Sequence, residues 1–447
     1  MSNKDDQIKK MDKLFDRLFP IARSITGKGI RKTLKILNEY LPLKMKSVKS
    51  GTEVLNWKVP PEWKINEAYI KGPNGKKIVD FKDNNLYVLN YSTPVDKKIN
   101  LEDLKKHLYT IPEKPKAIPY VTSYYKRRWG FCLSHNKYKK LESGVYEVKI
   151  DSELKNDGRL DYGHTILPGK SEKEILLSTY VCHPSMANNE LSGPIVAAFL
   201  YNRLKNWKNR RFTYRFVFNP ETIGSITYLH KYGDELKEKM YSGMILTCLG
   251  GENSDLSYKL SRRENSPLDN VVKHVFDKKI VKGDIRDFDP RGGSDERQYC
   301  SPGFNLPVGQ MARMVYGEYP GYHNSLDTKE NMTIESLYQS VNEIEKILKI
   351  VELNGYYVNQ FPYGEVKLGD YDLYPDINFS DGDNSRDRVD KILAILNYSD
   401  GKHSLLDIAN NFDYNLLELE PVIKVLKNNN LLKGPYINEK NLKSELE

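Results

Sequence analysis

The chain has 447 residues, of which 39% are hydrophobic and 29% are charged, and its formal net charge is +9. This length exceeds one compact core, so we expect two or three domains of a soluble globular protein. No apolar run reaches the ~20 residues that span a bilayer, and the polar N-terminus lacks the apolar stretch of a signal peptide. We therefore expect a cytoplasmic protein that has no membrane partner.

The positive charge does not by itself predict a nucleic-acid partner, because lysines are spread through the chain with Asp and Glu between them. The four cysteines lie far apart, at positions 132, 182, 248 and 300. They form neither a disulfide framework nor a Cys-x-x-Cys pair.

The first 146 residues contain two segments that differ in composition and in their apolar pattern. Residues 4–50 show the apolar spacing of helices. Residues 59–146 are rich in Trp, Tyr and Pro, and short β-like runs lie between Gly and Pro. We interpret residues 59–146 as a strand-rich inserted domain.

Strands and helices alternate from about residue 145 to residue 355, which is typical of an α/β sheet domain. The predicted strands are residues 144–150, 174–182, 213–218, 243–249 and 306–311. The predicted helices are residues 194–205, 223–232, 267–276 and 334–353. Residues 1–58 and 147–360 together would form this discontinuous α/β domain.

The C-terminal region is predicted as a linker, residues 361–384, and a winged-helix-like domain, residues 385–447. Three short helices (386–396, 405–411 and 416–427) precede a turn and a small hairpin at residues 428–437. A helix that reads DNA should carry basic or amide groups, yet the candidate helix begins with Glu418 and Glu420, which would repel phosphates. We favour a packing or protein-contact module, so a nucleic-acid partner is not expected.

Three polar loops follow predicted strands, where open α/β sheets bind ligands. His183 ends an apolar run, Glu221 follows the strand at 213–218, and His323 lies in an aromatic loop with Asp327 four residues further on. A neutral imidazole can bind zinc, and a carboxylate can act as a general base. The three loops together predict a metal-dependent hydrolase.

Each of these residues also has a plainer explanation. His183 could be a hydrogen-bonded histidine, Glu221 an acid favoured by a helix N-terminus, and His323 a surface residue that Asp327 caps or orients. Cys182 precedes His183, but strand alternation sends neighbours to opposite faces, so we do not expect the two to share a site. In the polar loop at residues 292–298, Asp295 or Arg297 could face a substrate or form an ordinary ion pair.

These loops resemble those of the zinc aminopeptidase superfamily that includes glutamate carboxypeptidase and glutaminyl cyclase. There, a strand-end His precedes Asn-Asp-x-x-Ser-Gly, Glu-Glu-x-Gly, a further Asp, Gly-Ser-Asp and Tyr-His-x-x-x-Asp-Thr. The matching stretches here are His183 and residues 188–193, 221–224, 293–295 and 322–328.

Over nearly its whole length the chain is similar to a bacterial family of uncharacterised aminopeptidase-like proteins. The resemblance rests on residues 59–63, 118–125, 129–132 and 291–303, and on the C-terminal winged helix. It implies an α/β fold with a mixed-sheet, three-layer core like that of zinc aminopeptidases, a strand-rich inserted domain and a C-terminal winged-helix domain.

The resemblance implies that His183 and His323 bind metal and that Glu221 is the general base. The carboxylate that bridges two zinc ions falls at Asn189, a second Glu falls at Thr222, and no carboxylate stands between residues 247 and 251. We therefore expect one zinc ion rather than two. The candidate ligands are His183, His323, Asn189, Glu190 and Asp295.

The leading hypothesis is a metallo-aminopeptidase-like hydrolase that cleaves an amide bond in a small peptide or amino-acid conjugate. The metal would activate water, Glu221 would take its proton, and Arg297 and Tyr322 would contact the substrate. One alternative is a binding or scaffold protein on a catalytically degenerate peptidase fold. Another is a DNA-associated regulator that uses the winged helix. Homo-oligomerisation stays open.

Overall fold

The computed structural model describes residues 3–315, 317–374 and 384–437. Residues 375–383 of the predicted linker and residues 438–447 of the predicted winged-helix domain lie outside the described residues. Within the described ranges, no helix has the length and apolar character needed to cross a membrane.

The helices follow one another along the described chain with a turn of π-helix, Ala187–Leu191, before the fifth. They are α1 (Asn3–Leu18), α2 (Lys28–Leu37), α3 (Leu101–Lys105), α4 (His135–Lys139), α5 (Ser192–Lys205), α6 (Ile223–Lys239), α7 (Pro267–Asp277), α8 (Glu296–Tyr299), α9 (Lys329–Met332), α10 (Ile334–Leu353), α11 (Asn384–Tyr398), α12 (Leu405–Asn411) and α13 (Glu420–Asn428).

The strands are β1 (Lys44–Lys49), β2 (Glu53–Val54), β3 (Trp57–Lys58), β4 (Glu62–Lys71), β5 (Lys77–Asp80), β6 (Val95–Asn100), β7 (Leu108–Tyr109), β8 (Phe131–Cys132), β9 (Val145–Lys155), β10 (Arg159–Leu167), β11 (Glu174–Tyr180), β12 (Thr213–Asn219), β13 (Met240–Leu246), β14 (Leu256–Lys259), β15 (Gly283–Arg286), β16 (Val308–Ala312), β17 (Tyr356–Asn359), β18 (Asp400–Ser404) and β19 (Leu432–Tyr436).

The chain divides into two compact units. The first contains Met1–Ser266 and Gly283–Asn342, and the second contains Pro267–Lys282 and Glu343–Glu447. The first unit holds the large sheet and the insertion, whereas the second holds the three C-terminal helices.

The first unit is built around a mixed sheet with the strand order β1-β10-β12-β11-β13-β16-β14-β15. Its centre is parallel, since β12, β11, β13 and β16 run in one direction, while β10 and β14 are antiparallel to their central neighbours. Every residue of β11 and β12 is buried. Such near-continuous apolar strands are typical of a parallel sheet that is covered on both faces. The expected α/β fold class is confirmed.

Three strands of the insertion, β4, β5 and β6, form an antiparallel sheet of order β5-β4-β9-β6 with β9, which begins at Val145 and continues beyond the predicted end of the insertion at residue 146. Two further short pairs form in this part of the chain: β2 with β3, before β4, and β7 with β8, between β6 and β9. Burial alternates along most of β9, as expected for a sheet with one covered face. The insertion is therefore strand-rich, as its composition predicts.

The second unit contains α11, α12 and α13 with a three-stranded sheet of order β18-β17-β19. A capping box at Ser404 and Asp407 starts α12, at the position that the sequence predicts. The small hairpin expected at residues 428–437 is wrong, because β19 pairs with β17, more than 70 positions earlier in the chain. Short-range turn signals could not reveal a partner so far away.

A buried ion pair joins the two central strands. Arg215 of β12 donates to Glu174 of β11 through Nε at 2.6 Å and Nη2 at 2.9 Å. The remaining Arg215 donor, Nη1, reaches the Tyr228 hydroxyl of α6 at 2.9 Å, and Nη2 also contacts Glu235 at 2.7 Å. The guanidinium thus holds the sheet to α6 inside the core.

Removing one partner of this pair should destabilise the protein more than removing both. Glu174→Ala should lower the free energy of unfolding by about 3 to 5 kcal/mol, because it leaves the buried Arg215 without its main counter-charge. Adding Arg215→Met to that variant should restore part of the loss. Chemical denaturation of the single and double variants measures both effects, and simple additivity of the two losses would contradict the prediction.

Candidate functional site

The two strand-end residues that the sequence singles out lie side by side. Parallel pairing sets Tyr180 of β11 opposite Asn219 of β12, so both strands end at the same edge of the sheet. His183 and Glu221 follow these ends, and Nε2 of the imidazole lies 3.6 Å from Oε2 of the carboxylate. A carboxylate and an imidazole are therefore neighbours at the edge where α/β sheets bind ligands.

Cys182 also belongs to this group. Its Sγ lies 3.3 Å from His183 Nδ1 and accepts the backbone N–H of Glu221 at 3.3 Å. The expectation that Cys182 and His183 would not share a site is wrong. The strand ends at Tyr180, two residues earlier than predicted, so the alternation of side chains no longer applies at position 182.

Two buried charged side chains, Glu190 and Arg23, lie on the Nδ1 side of the His183 ring. Glu190 Oε2 lies 2.9 Å from His183 Nδ1, and Arg23 Nε lies 3.5 Å from Glu190 Oε1. Arg23 Nε also donates to the backbone carbonyl of His183 at 2.9 Å. Because an ionised carboxylate only accepts, Nδ1 carries a proton, while Nε2 lies on the side of Glu221. Burial lowers the pKa of His183, but the neighbouring Cys182, Tyr120 and Glu190 outweigh burial and raise this pKa well above its usual value.

Among the described residues, one group of three has the geometry to hold a metal ion: Cys182, His183 and Glu190, whose ligand atoms lie within 4.8 Å of one another. Arg23 already balances the charge of Glu190 there, and its own positive charge opposes a dication at the same place. His323 and Asp295 lie outside this group.

The Gly-Ser-Asp loop supports Glu221 and its turn. Ser294 Oγ donates to Glu221 Oε1 at 2.9 Å, which leaves Oε2 toward His183. Asp295 Oδ1 accepts the N–H of Thr222 at 2.7 Å, and Thr222 has a φ of 62°, which is unusual for a β-branched residue. Asp295 Oδ2 also accepts from Asn219 Nδ2 at 3.3 Å. Both carboxylate oxygens of Asp295 are thus engaged in holding the strand-to-helix turn.

Burial controls the titration of these groups. It raises the pKa of Asp295 to about 7, and the neighbouring Glu221 charge adds to the effect. Burial also raises the pKa of Glu221, against the opposing influence of His183 and Ser294. Burial and the nearby His183 lower the pKa of His323 to about 3. His323 is therefore neutral near pH 7, as a metal ligand must be.

Asp327 anchors the loop that carries Asn189. Its two oxygens accept the backbone N–H groups of Asn188 at 2.8 Å and Asn189 at 2.9 Å, and Oδ2 lies 3.2 Å from the Tyr319 hydroxyl. Asp327, considered from the sequence as a residue that caps or orients His323, instead holds the Asn188–Asn189 backbone. Asn189 Nδ2 donates to the Tyr180 hydroxyl at 3.0 Å, whereas its buried Oδ1 has no hydrogen-bond partner among the described residues.

The insertion reaches the site through Tyr120. The Tyr120 N–H donates to the carbonyl of His323 at 2.9 Å, and its ring centroid lies 5.0 Å from His183 and 5.6 Å from His323. The two histidine rings are 5.4 Å apart. Tyr120 therefore packs across both imidazoles and holds the backbone of the His323 loop.

The site opens into a cleft of about 500 Å³. Its lining is Ile25, Trp57, Tyr120, Val121, Thr122, Tyr124, Tyr125, Cys182, His183, Glu221, Thr222, Ile223 and His323. Arg297 and Tyr322, the expected substrate contacts, are not part of this lining. Arg297 Nε donates to the Ser294 carbonyl at 3.2 Å, and Tyr322 stacks on His323 at 4.0 Å.

Sequence reasoning missed three contributors to the site. Arg23 lies in a segment between two helices and carries no motif that marks it as buried. Tyr120 belongs to the aromatic stretch at residues 118–125, which the sequence marks as a motif. The sequence does not reveal that its ring contacts the two histidines. Cys182 was considered and set aside on an argument that needed a longer strand.

Loss of the Asp327 anchor should destabilise the site and the fold. Asp327→Ala leaves two buried amides without an acceptor, which should lower the free energy of unfolding by about 2 to 4 kcal/mol. Asp327→Asn keeps one oxygen as an acceptor and should lose less. Thermal or chemical unfolding compares the two variants, and equal stability of Asp327→Ala and the parent chain would refute the assignment.

Comparison with known proteins agrees with this fold. The structure superposes on a zinc aminopeptidase from Bacillus subtilis with a TM-score of 0.58 at 11% identity, over 77% of this chain and 94% of that one. At that identity the likeness concerns the fold alone. The first unit therefore has the zinc aminopeptidase fold.

The chain belongs to the family described as "Domain of unknown function (DUF4910)", whose model matches residues 12–354, and a winged helix-turn-helix model matches residues 355–434. A Clostridium acetobutylicum protein, provisionally named as a polysaccharide biosynthesis protein with an aminopeptidase-like domain, is 44% identical over 89% of each chain. A crystal structure from Clostridium acetobutylicum, provisionally described as a peptidase, has a TM-score of 0.88 at 40% identity, covering 96% of this chain and 97% of that one.

Proposed function

We propose that the protein is a metal-dependent hydrolase that cleaves an amide bond in a small peptide or amino-acid conjugate. The observation that carries the proposal is the approach of His183 Nε2 and Glu221 Oε2 to 3.6 Å at the strand edge of a zinc-aminopeptidase-type sheet. Both side chains line the cleft, so a substrate in the cleft would meet a metal-ligating group and a base together.

One zinc ion would be held by His183 and His323, because imidazole nitrogens are common zinc ligands and the two rings lie 5.4 Å apart. Oδ1 of Asn189 is a buried oxygen without a hydrogen-bond partner among the described residues, which suits a weak additional ligand. An amide cannot supply the negative charge that two adjacent dications need, so a second ion does not fit.

Glu190 and Arg23 would position His183 from behind. Glu190 would accept a hydrogen bond from Nδ1 and Arg23 would balance the carboxylate, so Nε2 is the nitrogen that a metal would use. Asp295 would likewise act through the Thr222 amide, because both of its oxygens are occupied. These two acids were candidate ligands from the sequence, and we propose a supporting role for both.

Glu221 would act as the general base. Ser294 holds one of its oxygens, so the other can take a proton from the attacking water and return it to the leaving amine. Burial raises the pKa of Glu221, which makes it a stronger base, and a pKa near the working pH is the best compromise between taking up a proton and releasing it. When bound, the metal supplies Lewis acidity at the same place.

Zinc content should depend on the two histidines. The purified chain should hold one zinc ion, and His183→Ala or His323→Ala should bring the content well below one ion per chain. His403→Ala is the matched control, because its half-exposed ring contacts Asp400 in the winged-helix unit. Plasma mass spectrometry after dialysis gives the stoichiometry. Two ions per chain, or content that is insensitive to both substitutions, would contradict the one-ion site.

Removal of the base should abolish turnover without removing the metal. Glu221→Gln should lower kcat on amino-acid amides by about 10²- to 10⁴-fold, the usual contribution of general base catalysis. Zinc content should stay unchanged. Glu153→Gln, an exposed acid on β9, controls for the loss of a charge. Ammonia release is the readout, and activity that survives in Glu221→Gln would rule out this role.

One observation favours a second candidate function. Asn189 stands where the resemblance implies a bridging carboxylate, and the fold alone does not require catalysis. A binding protein on a degenerate peptidase fold would keep the cleft and lose turnover. Absence of amide hydrolysis in zinc-loaded protein, together with ligand binding in the cleft, would favour that candidate.

A further inference from the structure

Four aromatic side chains form one wall of the cleft: Trp57, Tyr120, Tyr124 and Tyr125. We call this the aromatic wall. Its inner end is Tyr120, whose ring lies 5.0 Å from His183, and the Tyr120 and Tyr124 hydroxyls are hydrogen-bonded to each other. Its outer end is Trp57 and Tyr125, whose rings meet edge to face at 5.6 Å. The wall thus extends from the entrance of the cleft to the proposed metal ligand.

The outer pair, Trp57 and Tyr125, is exposed to solvent even though burial would stabilise both rings. Trp57 is 37% exposed and Tyr125 is 55% exposed, although large aromatic side chains gain most from burial. The inner pair is different, because Tyr120 packs on two histidines and Tyr124 packs edge to face on the buried Tyr91 at 5.4 Å. Two adjacent exposed aromatics at the entrance of a concave site are typical of a ligand contact.

The charge of the cleft limits what can bind there. Glu221 is the acid of the described lining, and no Lys or Arg is part of that lining. At the aromatic wall itself, a substrate anion would meet no basic side chain of the described lining, and the four rings offer a flat apolar surface. An uncharged ring fits that surface without leaving a charge unpaired.

We propose that the aromatic wall is a specificity subsite that binds an uncharged ring of the substrate, either an aromatic side chain or the C–H face of a sugar ring. The outer pair would contact this ring while the amide bond lies at His183 and Glu221. The position of the amide bond rests on the proposed hydrolase function, whereas binding of the ring does not.

The test measures binding in the zinc-loaded full-length Glu221→Gln variant, which should not turn the probes over. The probes are L-phenylalaninamide, N-acetyl-D-glucosamine, L-alaninamide and L-lysinamide, titrated by calorimetry. At least one ring probe should bind about 5- to 10-fold more tightly than L-alaninamide or L-lysinamide, the range expected from aromatic contacts. The ring probe that binds better identifies the source of the ring.

Substitutions in the outer pair locate the effect. Tyr125→Ala and Trp57→Ala should each remove most of the preference for the ring probe and leave L-alaninamide binding unchanged. Tyr125→Phe keeps the ring and should keep the preference, which separates ring contact from loss of the fold. Tyr363→Ala is the control, because Tyr363 is 98% exposed in the other unit.

Two results would overturn the subsite. One is equal affinity for the ring probes and L-alaninamide, and the other is a ring preference that survives both Tyr125→Ala and Trp57→Ala. Ring binding in Glu221→Gln without amide hydrolysis by the parent chain would leave the subsite in place and refute the hydrolase alone.

Discussion

The parallel hydrogen bonds between β11 and β12 determine where the chemistry of this protein is. They bring two loops from separate parts of the chain to one edge of the sheet, so His183 and Glu221 become neighbours although 38 positions separate them. Both strands are buried along their whole length, and a change of register would place their apolar side chains against different neighbours. The same packing that stabilises the core therefore sets the distance between the proposed ligand and the proposed base.

The site places several charged side chains in a region that excludes most solvent. Each of them has a specific ion-pair or hydrogen-bond partner. Arg23 lies beside Glu190, Glu190 accepts from His183, and Ser294 donates to Glu221. Buried charges are tolerated only when paired and hydrogen-bonded, so this network costs stability wherever one member is lost. Burial is the main cause of the raised pKa values of Glu221 and Asp295. Shifted pKa values of this kind are common where groups are arranged for chemistry.

Sequence reasoning succeeded where local pattern determines structure. The apolar spacing of α10 predicts a helix over residues 334–353, and Thr333 Oγ1 accepts the Ser336 N–H near its start. The order of strands and motif loops was enough to predict the edge that holds the site. Contacts across long separations could not be predicted, as with Arg23 behind His183 and β17 beside β19. The end of β11 at Tyr180 shows how a two-residue error in a boundary reverses a conclusion about neighbouring side chains.

The resemblance implies a carboxylate at the position of Asn189, where this chain has a neutral amide. On the proposed function, this amide would lower the negative charge available to metal ions and favour one ion over two. The described lining of the cleft also contains no Lys or Arg, so a substrate anion would meet no basic side chain there. The insertion adds ring surface beside the two histidines, and Tyr120 ties it to the His323 backbone. Recognition would then come from aromatic contact and shape, because the ring faces of the aromatic wall favour uncharged groups.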